Sequence, residues 1–591
     1  MRSVRTLTLA LATLASAHAA AQAPVVLAAG RAQPGRADSA RVLRDARRAQ
    51  AAFERVRFTH LPWTMDSGAG GAGTCDEIVG RFCIWKTDTE EDWKVPPEHA
   101  EVVRERDSLI ADLDRAAAAS PGDAWVAGQR VRYLVEAGRH ADAARAAREC
   151  RAERWWCLAL EGYASHGARD YSAAEASFAA ALAAMPADAR REWDALTPVL
   201  ADGEARALRR MAAPERDSIL RRLWWLADPL WMEPGNDRLT EHFARLVFDR
   251  LQDRARTSDG IFWAYDLAEI LARWGQPSGW ERVRPRFGQG SLSSVITHYH
   301  PSFEFLPSVA MARDPLAIRA EQWKMDERGA HSLYAPPGIR RFWRLPHQVA
   351  AFRRGADAEI VAAFEMDRDS IPARPSIDAG VVLMRDPGAA PAVRTARVTS
   401  PRGVVRISAT PEQTVLSLEA VERDSGRAGR ARFGIDLRRP AENGLALSDL
   451  LLLDQVDARP RSLDEAAPLA RGNDEFRAGD RVAMFWEVYG LDARTDSLTF
   501  SLALLRRAPG GLRRTAESLG LARGVGPVRM RWTEEASGAV VPRSVGVTLP
   551  RLPAGDYVIE VTARSRSGAS AAAQREITVA PPKRPSNRTG R

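Results

Sequence analysis

Two histidines separated by one residue are the side chains of this sequence whose type and spacing best suit a metal ion. On a β-strand, residues two apart project to the same face, so the imidazoles of His298 and His300 could ligate one ion. A third ligand could come from His331, His347 or Glu304. The same spacing arises by chance in a chain with ten His, and beside Tyr299 it also suits interfacial packing. We therefore expect no metal and no cofactor, with His298 and His300 as the metal-site candidates.

The four cysteines form two close pairs, Cys75 with Cys83 and Cys150 with Cys157. In an oxidising compartment each local bridge would close a loop of about eight or nine residues and stabilise the fold by roughly 2.5 kcal/mol. The alternative, a thiolate metal site, needs a C-x2-C spacing that neither pair has. We expect structural disulfides, and the sequence leaves their pairing open.

Motifs for enzymatic chemistry are missing from the sequence: no P-loop, G-x-S-x-G, H-E-x-x-H or S-x-x-K motif occurs. Residues 66–74 fit G-x-G-x-x-G, but no buried strand precedes them and no helix follows directly, so a flexible linker is expected. Exposed indoles can stack on sugars, but the apolar helical patterns around five tryptophans favour core packing: Trp155, Trp156, Trp224, Trp225 and Trp231. We expect no catalytic residues.

The positive charge of the chain is concentrated at its ends. The formal +9 divides into +2 for residues 1–30, +5 for 31–57 and +4 for 581–591, which leaves −2 for 58–580. A nucleic-acid-binding protein is expected to carry its basic residues on a folded face, where phosphate contacts set the affinity. We therefore expect no nucleic-acid partner.

The first 21 residues have the order of a secretory signal peptide. Arg2 and Arg5 precede an apolar run over residues 7–17, and Ala-x-Ala sites follow. The run is about half of the ~20 residues that a membrane span needs, and no later stretch is long and uncharged enough. We expect a cleaved signal peptide at 1–21 and a periplasmic or secreted protein without a membrane span. An uncleaved N-terminal anchor is the alternative.

Helical periodicity and an internal repeat characterise residues 96–205. Residues 138–143 and 169–174 align with a shift of 31 residues. In the second copy, small, aromatic and helix-ending residues follow at Gly162, Ala174, Phe178, Ala181 and Pro186. These positions make residues 120–187 resemble two tetratricopeptide repeats. The resemblance implies paired helices whose concave face binds a peptide or protein, and a helical scaffold that binds nothing is the alternative.

A Trp-rich, mostly helical region is predicted over residues 206–344. Within 224–251 and 262–283 a set of residues occurs in a fixed order: Asp228, Pro229, Asn236, Arg245, Arg273, Gly275 and Pro277. Their order resembles the pattern of the GWxTD-domain proteins, a poorly characterised bacterial family. At the turn that names the family, this sequence keeps only Trp263 and Asp266. The resemblance implies a divergent relative and no particular chemistry.

The periodicity becomes two after about residue 345. Apolar and polar residues alternate around 431–437, 482–488, 498–504 and 557–563, which predicts antiparallel strands with one buried face. We expect two immunoglobulin-like β-sandwiches at 345–443 and 444–580 and a disordered basic tail at 581–591, with one larger β domain as the alternative. Residues 22–95 are expected to form a lead-in with one short helix. The predicted fold class is therefore multidomain α + β, with an all-α region first and antiparallel β-sandwich domains last.

These observations favour a non-enzymatic interaction or scaffold protein of the bacterial cell envelope. Its partner would be a protein or peptide bound in the helical groove. Two alternatives stay open: a metal-assisted hydrolase of envelope polymers centred on His298 and His300, and a carbohydrate-binding protein that uses tryptophan.

Overall fold

The computed structural model describes residues 36–65, 76–84, 93–284, 295–325, 331–438, 444–491, 496–507, 528–550 and 552–581. Across these residues, helices come first and strands follow, which is the mixed α + β class expected from the sequence. The signal peptide predicted at 1–21, the Gly-rich loop, Cys75 and residues 582–591 of the basic tail lie outside the described residues. None of the helices in the described ranges is long and apolar enough to cross a membrane.

The described helices are α1 (Arg36–Thr59), α2 (Ala100–Ala119), α3 (Ala124–Glu136), α4 (His140–Glu149), α5 (Arg154–Gly167), α6 (Tyr171–Ala184), α7 (Ala187–Trp193), α8 (Asp202–Arg210), α9 (Ala213–Ala227), α10 (Asp237–Leu251), α11 (Tyr265–Trp274), α12 (Val309–Arg313) and α13 (Leu463–Ala466). Helix α1 has 24 residues, longer than the short helix expected in the lead-in. Its Ala46 and Phe53 belong to the same apolar core as α2 to α6. The Arg-rich segment is therefore part of the helical region.

Helices α3 to α6 form two helical hairpins. A Cβ placed on Gly162 would lie 2.7 Å from the ring of Phe178, so only a glycine leaves room for that ring. Ala174 and Ala181 are fully buried beside it. A disulfide joins Cys150, the residue that caps the end of α4, to Cys157 in the first turn of α5. Cys83 is also disulfide-bonded.

Helix α10 packs against the first helix of each hairpin, α3 and α5. At its C-terminal end, the Leu251 carbonyl accepts a 2.6 Å hydrogen bond from Gln129 Nε2 of α3. Nearer its N-terminus, Glu241 Oε2 lies 2.8 Å from His166 Nε2 of α5. The resemblance to tetratricopeptide repeats implied a face open to a partner, but the chain's own helix covers α3 and α5.

Short strands surround the helical region: β1 (Trp63–Met65), β2 (Glu77–Val79), β3 (Phe82–Ile84), β4 (Gly279–Arg284), β5 (Val295–His298), β6 (Phe303–Glu304) and β7 (Leu333–Tyr334). Strand β1 pairs in parallel with β4, which pairs antiparallel with β5, so the segment after α1 joins residues more than 200 positions away. Strands β2 and β3 form a hairpin, and β6 pairs with β7.

The first β module contains β8 (Arg341–Arg344), β9 (His347–Arg354), β10 (Asp357–Glu365), β11 (Ile377–Met384), β12 (Ala392–Val398), β13 (Arg402–Ala409), β14 (Gln413–Glu422) and β15 (Arg427–Asp436). They form two sheets, in the orders β13-β10-β9 and β12-β11-β14-β15-β8. Apolar residues of both sheets share one core, for example Ile360 and Leu418. Because β8 pairs with β15, the module begins at 341, slightly before the expected boundary at 345.

The second β module contains β16 (Ala446–Leu447), β17 (Leu451–Leu453), β18 (Glu475–Arg477), β19 (Arg481–Tyr489), β20 (Asp496–Arg506), β21 (Val528–Ala536), β22 (Val540–Thr548), β23 (Gly555–Arg564) and β24 (Ser570–Ala580). Strands β16, β17 and β22 pair with β19, and a second sheet has the order β18-β24-β23-β20-β21. Phe352 and Phe485 belong to a further apolar cluster that joins the two modules. The immunoglobulin-like topology stays a prediction.

The Trp-rich segment after α9 packs on the five-stranded sheet of the first module. Arg432 and Glu419, both fully buried, form an ion pair at 3.0 Å on that sheet. Arg432 donates to the carbonyls of Leu226 and Asp228 at the end of α9. Four of the five tryptophans singled out in the sequence are buried, and Trp224 is half-buried. Core packing is therefore their main role, as their helical spacing predicts.

Candidate functional site

A cleft with a volume of about 410 Å³ lies between the helical region and the small sheet of β1, β4 and β5. One wall comes from α1, α2 and α3, through Arg57, Arg106, Arg132 and Glu136. The opposite wall comes from α11, the turn behind it and strands β4 and β5, through Leu267, Leu271, Gly275, Pro277, Trp280 and Thr297. The site therefore combines residues from three predicted regions, the lead-in at 22–95, the repeats at 96–205 and the Trp-rich region at 206–344.

A network of buried charges forms the helical wall of the cleft. Glu136 accepts a hydrogen bond from Arg57 and another, at 2.8 Å, from Arg132 Nε. Glu54, fully buried behind them, accepts a 2.6 Å bond from the hydroxyl of Tyr133 and lies 3.4 Å from both arginines. These contacts hold two helices together, because Glu54 and Arg57 lie on α1 and the other residues on α3.

Three members of this network, Glu136, Arg57 and Arg132, keep their charges over the physiological pH range. Burial by itself favours the neutral carboxyl, but the guanidinium groups of Arg57 and Arg132 hold the pKa of Glu136 at about 2. Burial also works against the charged form of both arginines, but Tyr133 and the carboxylates of Glu136 and Glu54 raise their pKa above the ordinary arginine range. The cleft thus presents fixed cationic donors.

Several polar atoms of the cleft wall have no hydrogen-bond partner. Three are donors, Arg57 Nε, Arg106 Nε and Arg132 Nη1, and one is an acceptor, Gln252 Oε1. Buried polar atoms of this kind cost free energy unless something bonds to them. Among the described residues that line the cleft, three arginines face three acidic residues: Glu98, Glu136 and Asp259. The lining of the cleft therefore has balanced formal charge, which suits a ligand that carries polar groups and no net charge.

Aromatic side chains form the rest of the cleft and continue onto the surface. Phe248, Trp263, Trp280 and Tyr299 line the cleft, and Trp263 Nε1 donates a 2.7 Å hydrogen bond to Asp249. Beside Trp263, Phe262 and Tyr265 leave about 80% of their surface exposed. Large exposed aromatic side chains are enriched in protein interfaces, where they supply much of the binding energy.

The Arg81–Asp266 ion pair positions this aromatic surface. Arg81, in the turn of the β2–β3 hairpin, donates to both oxygens of Asp266 at 2.6 and 2.8 Å and to the carbonyl of Phe262 at 3.0 Å. These bonds hold the pKa of Asp266 at about 2. Ile78 of the same hairpin is 72% exposed. The hairpin and the start of α11 thus place Ile78, Phe262 and Tyr265 around one ion pair.

Of the residues that carry the GWxTD resemblance, Gly275 and Pro277 line the cleft, and the others make structural contacts outside its lining. Asn236 caps α10 by accepting from the Leu239 N–H. Arg245 donates to the carbonyls of Ala272 and Leu333, and Arg273 pairs with Glu77 at 2.5 Å. The turn at 275–278 lines the cleft, and its first two residues also line a neighbouring pocket of about 290 Å³.

The structure separates the two histidines proposed from the sequence. Strand β5 ends at His298, so His300 follows the strand and the two do not share one strand face. His298 Nε2 lies 3.1 Å from Glu281 Oε2, and its ring stacks on Trp93 with the centroids 4.0 Å apart. His300 lines the neighbouring pocket. Of the suggested third ligands, Glu304 accepts from the backbone of Leu306 and Ser332, and His347 contacts the Leu345 carbonyl.

A different group of potential ligands was missed by the sequence analysis. In the described part of the chain, His60, His99 and Glu101 are the one group of at least three whose donor atoms all lie within 4.8 Å of one another. His60 follows α1 and His99 precedes α2, with 39 positions between them. No spacing in the sequence signals this cluster, because only the packing of α1 on α2 brings its residues together.

Comparisons with known proteins do not assign the chain to a family. No protein-family model matches the chain, and no curated protein matches it. A transglutaminase of red sea bream is similar at 11% identity, over 54% of this chain and 43% of that one, with a TM-score of 0.15. A β-glucuronidase of Bacteroides uniformis is similar at 8% identity, over 38% of this chain and 26% of that one, with a TM-score of 0.16. The chain thus covers less than half the length of either structure, and neither likeness bears on its function.

Proposed function

We propose that this chain is a non-enzymatic, periplasmic or secreted interaction protein that binds a segment of another protein of the cell envelope in the cleft. The observation that carries the proposal is the lining of the cleft, where the side chains of Arg57, Arg106 and Arg132 occur together with four aromatic side chains. The Cys150–Cys157 disulfide and the N-terminal sequence pattern support an oxidising compartment.

A peptide segment suits the chemistry of this wall. Each peptide unit carries one acceptor and one donor without net charge, which suits a cleft lined by three arginines and three acidic residues. Trp280 and Tyr299 offer apolar faces for side chains of the segment. The adjoining pocket shares Gly275, Gln276 and Tyr299 with the cleft, so an extended segment could continue into it. The exposed Phe262 and Tyr265 would contact the remainder of the partner.

Site-specific photocrosslinking in the native cell envelope tests the proposal. A benzophenone amino acid is placed at Tyr265, beside the cleft, and in a matched protein at Val393, a 46% exposed residue on β12 of the distant β module. We expect one protein to be captured from position 265 and not from 393. Equal capture at both positions, or none at either, contradicts the proposal.

Direct binding then identifies the surface. With the captured partner purified, we expect Phe262→Ala and Tyr265→Ala each to raise the dissociation constant at least tenfold, because interface aromatics dominate binding energy. Val393→Ala serves as the control and is expected to change nothing. If a glycan of the envelope binds with the same dependence on Phe262 and Tyr265, the protein is a carbohydrate-binding protein and the peptide proposal is wrong.

A further inference from the structure

The C-terminal end of α1 and the N-terminal end of α2 bring three potential metal ligands together. His60 is the first residue after α1, His99 is the N-cap of α2, and Glu101 lies in its first turn. His60 Nε2 is 3.2 Å from Glu101 Oε2, and the His60 and His99 rings lie 4.2 Å apart. The pairing rests on the contact between α1 and α2, whose residues share one core.

His60 is held between two acceptors. Its Nδ1 lies 2.9 Å from the carbonyl oxygen of Val56, a contact that requires a proton on Nδ1. In the neutral ring, that proton leaves the Nε2 lone pair directed at the Glu101 carboxylate, and two lone pairs repel each other. Only a cation between Nε2 and the carboxylate, either a proton or a metal ion, makes this contact favourable. The carbonyl on Nδ1 is also the usual outer partner that orients a ligating histidine.

The third ligand completes a set that transition metals prefer. Two imidazoles and one carboxylate are the donors of many zinc sites, with distances of about 2.0–2.2 Å to the metal. Such bonds bring ligand atoms to within roughly 4 Å of one another, and the three donor atoms already lie within 4.8 Å. The His60 and His99 rings are stacked, so one of them must rotate out of the stack to ligate the same ion. His99 is exposed, and its Nδ1 accepts only a long 3.3 Å bond from the Glu101 N–H, which ligation would replace.

We propose that His60, His99 and Glu101 bind one divalent transition-metal ion, with Zn²⁺ as the best match, and that water fills its remaining positions. The side chains of His60 and Glu101 are 24% and 46% exposed, so the ion reaches the site from solvent and keeps an open side. The neighbouring residues Arg57 and Glu98 line the cleft, which places the ion at its rim. This inference does not depend on the proposed function, because it uses none of the cleft's contacts.

Titration calorimetry of the purified, tag-free protein with ZnCl2 tests the site. We expect one Zn²⁺ per chain, and at least a tenfold weaker affinity in His60→Ala, His99→Asn and Glu101→Gln. His99→Asn is the sharpest variant, because asparagine keeps the N-cap of α2 while it removes the imidazole. His300→Ala is the matched control, since His300 is an exposed histidine outside the cluster.

Two results would overturn the metal site: no stoichiometric heat with the wild-type protein, or unchanged affinity in both His60→Ala and His99→Asn. Loss of affinity in His300→Ala alone would move the site to the histidines first considered from the sequence. Electron paramagnetic resonance of bound Cu²⁺ gives an independent readout, with nitrogen couplings expected from two imidazoles in the wild type and from one in His99→Asn. Circular dichroism confirms that each variant is folded.

Discussion

The guanidinium of Arg245 occupies the space that a side chain at Gly275 would need. A Cβ on Gly275 would lie 2.7 Å from Arg245 Nη2, and Gly275 has φ +82° and ψ −166°, a region that only glycine adopts readily. From this position Arg245 bonds the carbonyls of Ala272 and Leu333, which joins α10 to the end of α11 and to β7. The glycine and the arginine thus act as one structural unit behind the cleft.

Gly275→Ala is expected to lower the free energy of unfolding by about 3 kcal/mol, since it adds a clash with Arg245 to the backbone strain. Gly338→Ala is the matched control: it has φ +83°, but nothing lies within 4 Å of its added Cβ. In urea unfolding, the control variant should lose only about 1 kcal/mol of the free energy of unfolding. Equal losses in the two variants would show that Arg245 moves aside freely.

Breaking the buried pair between Arg432 and Glu419 should be among the most damaging single changes in the chain. Arg432→Met leaves the Glu419 carboxylate buried without its cation, which costs about 3–5 kcal/mol. The exposed pair of Arg438 and Asp436, at 2.6 Å, is the control, and Asp436→Asn should cost less than about 1 kcal/mol. Urea unfolding of the two variants compares the pairs directly, and a loss below 1 kcal/mol in Arg432→Met would contradict the prediction.

Asp237 should make the protein less stable as the pH rises. Burial raises the pKa of Asp237 from its ordinary value near 3.8 to about 6, although the Tyr334 hydroxyl donates to it at 2.9 Å. The folded state therefore holds a proton that the unfolded state releases, so stability falls as the pH rises from about 4 through 6. Asp237→Asn removes this penalty, because its amide oxygen can still accept from Tyr334.

The measurement is urea unfolding of wild type and Asp237→Asn at pH 4 and pH 7.5. We expect the free energy of unfolding of the variant, relative to that of the wild type, to be about 2 kcal/mol higher at pH 7.5 than at pH 4. Comparison of the two proteins at equal pH removes the contribution of titrating groups that do not interact with residue 237. A difference between the two proteins that stays constant over this pH range would sink the prediction.

Removal of the Cys150–Cys157 disulfide should destabilise the helical region. The bridge closes a short loop, with a sequence separation of 7, and the chain-entropy relation gives about 2.5 kcal/mol for a loop of this length. The double variant Cys150→Ser/Cys157→Ser should lose about that amount in urea unfolding. Addition of a reductant should lower the stability of the wild type much more than that of the variant.

Local patterns in the sequence predicted the contacts that form between residues close together along the chain. Gly162 and Phe178 pack as the repeat predicts, because the two helices of a hairpin are joined by a short turn. Asn236 caps α10 because an N-cap bonds a residue three positions later. The strand at 498–504 buries alternate residues, since a period of two sends neighbours to opposite faces. The strand at 482–488 is buried on both faces, which its pattern of one apolar face did not predict.

Contacts between distant segments were decided only by the tertiary structure. The periodicity of α10 predicts which of its faces is buried. It does not predict that this face packs on α3 and α5, where it covers the expected peptide groove. In the same way, His60 and His99 carry no common signal, and His298 and His300 share a spacing that the end of β5 makes irrelevant. The sequence by itself determined the fold class and the local elements. The cleft and its rim form where elements distant in the chain pack against one another, and no local pattern in the sequence encodes that packing.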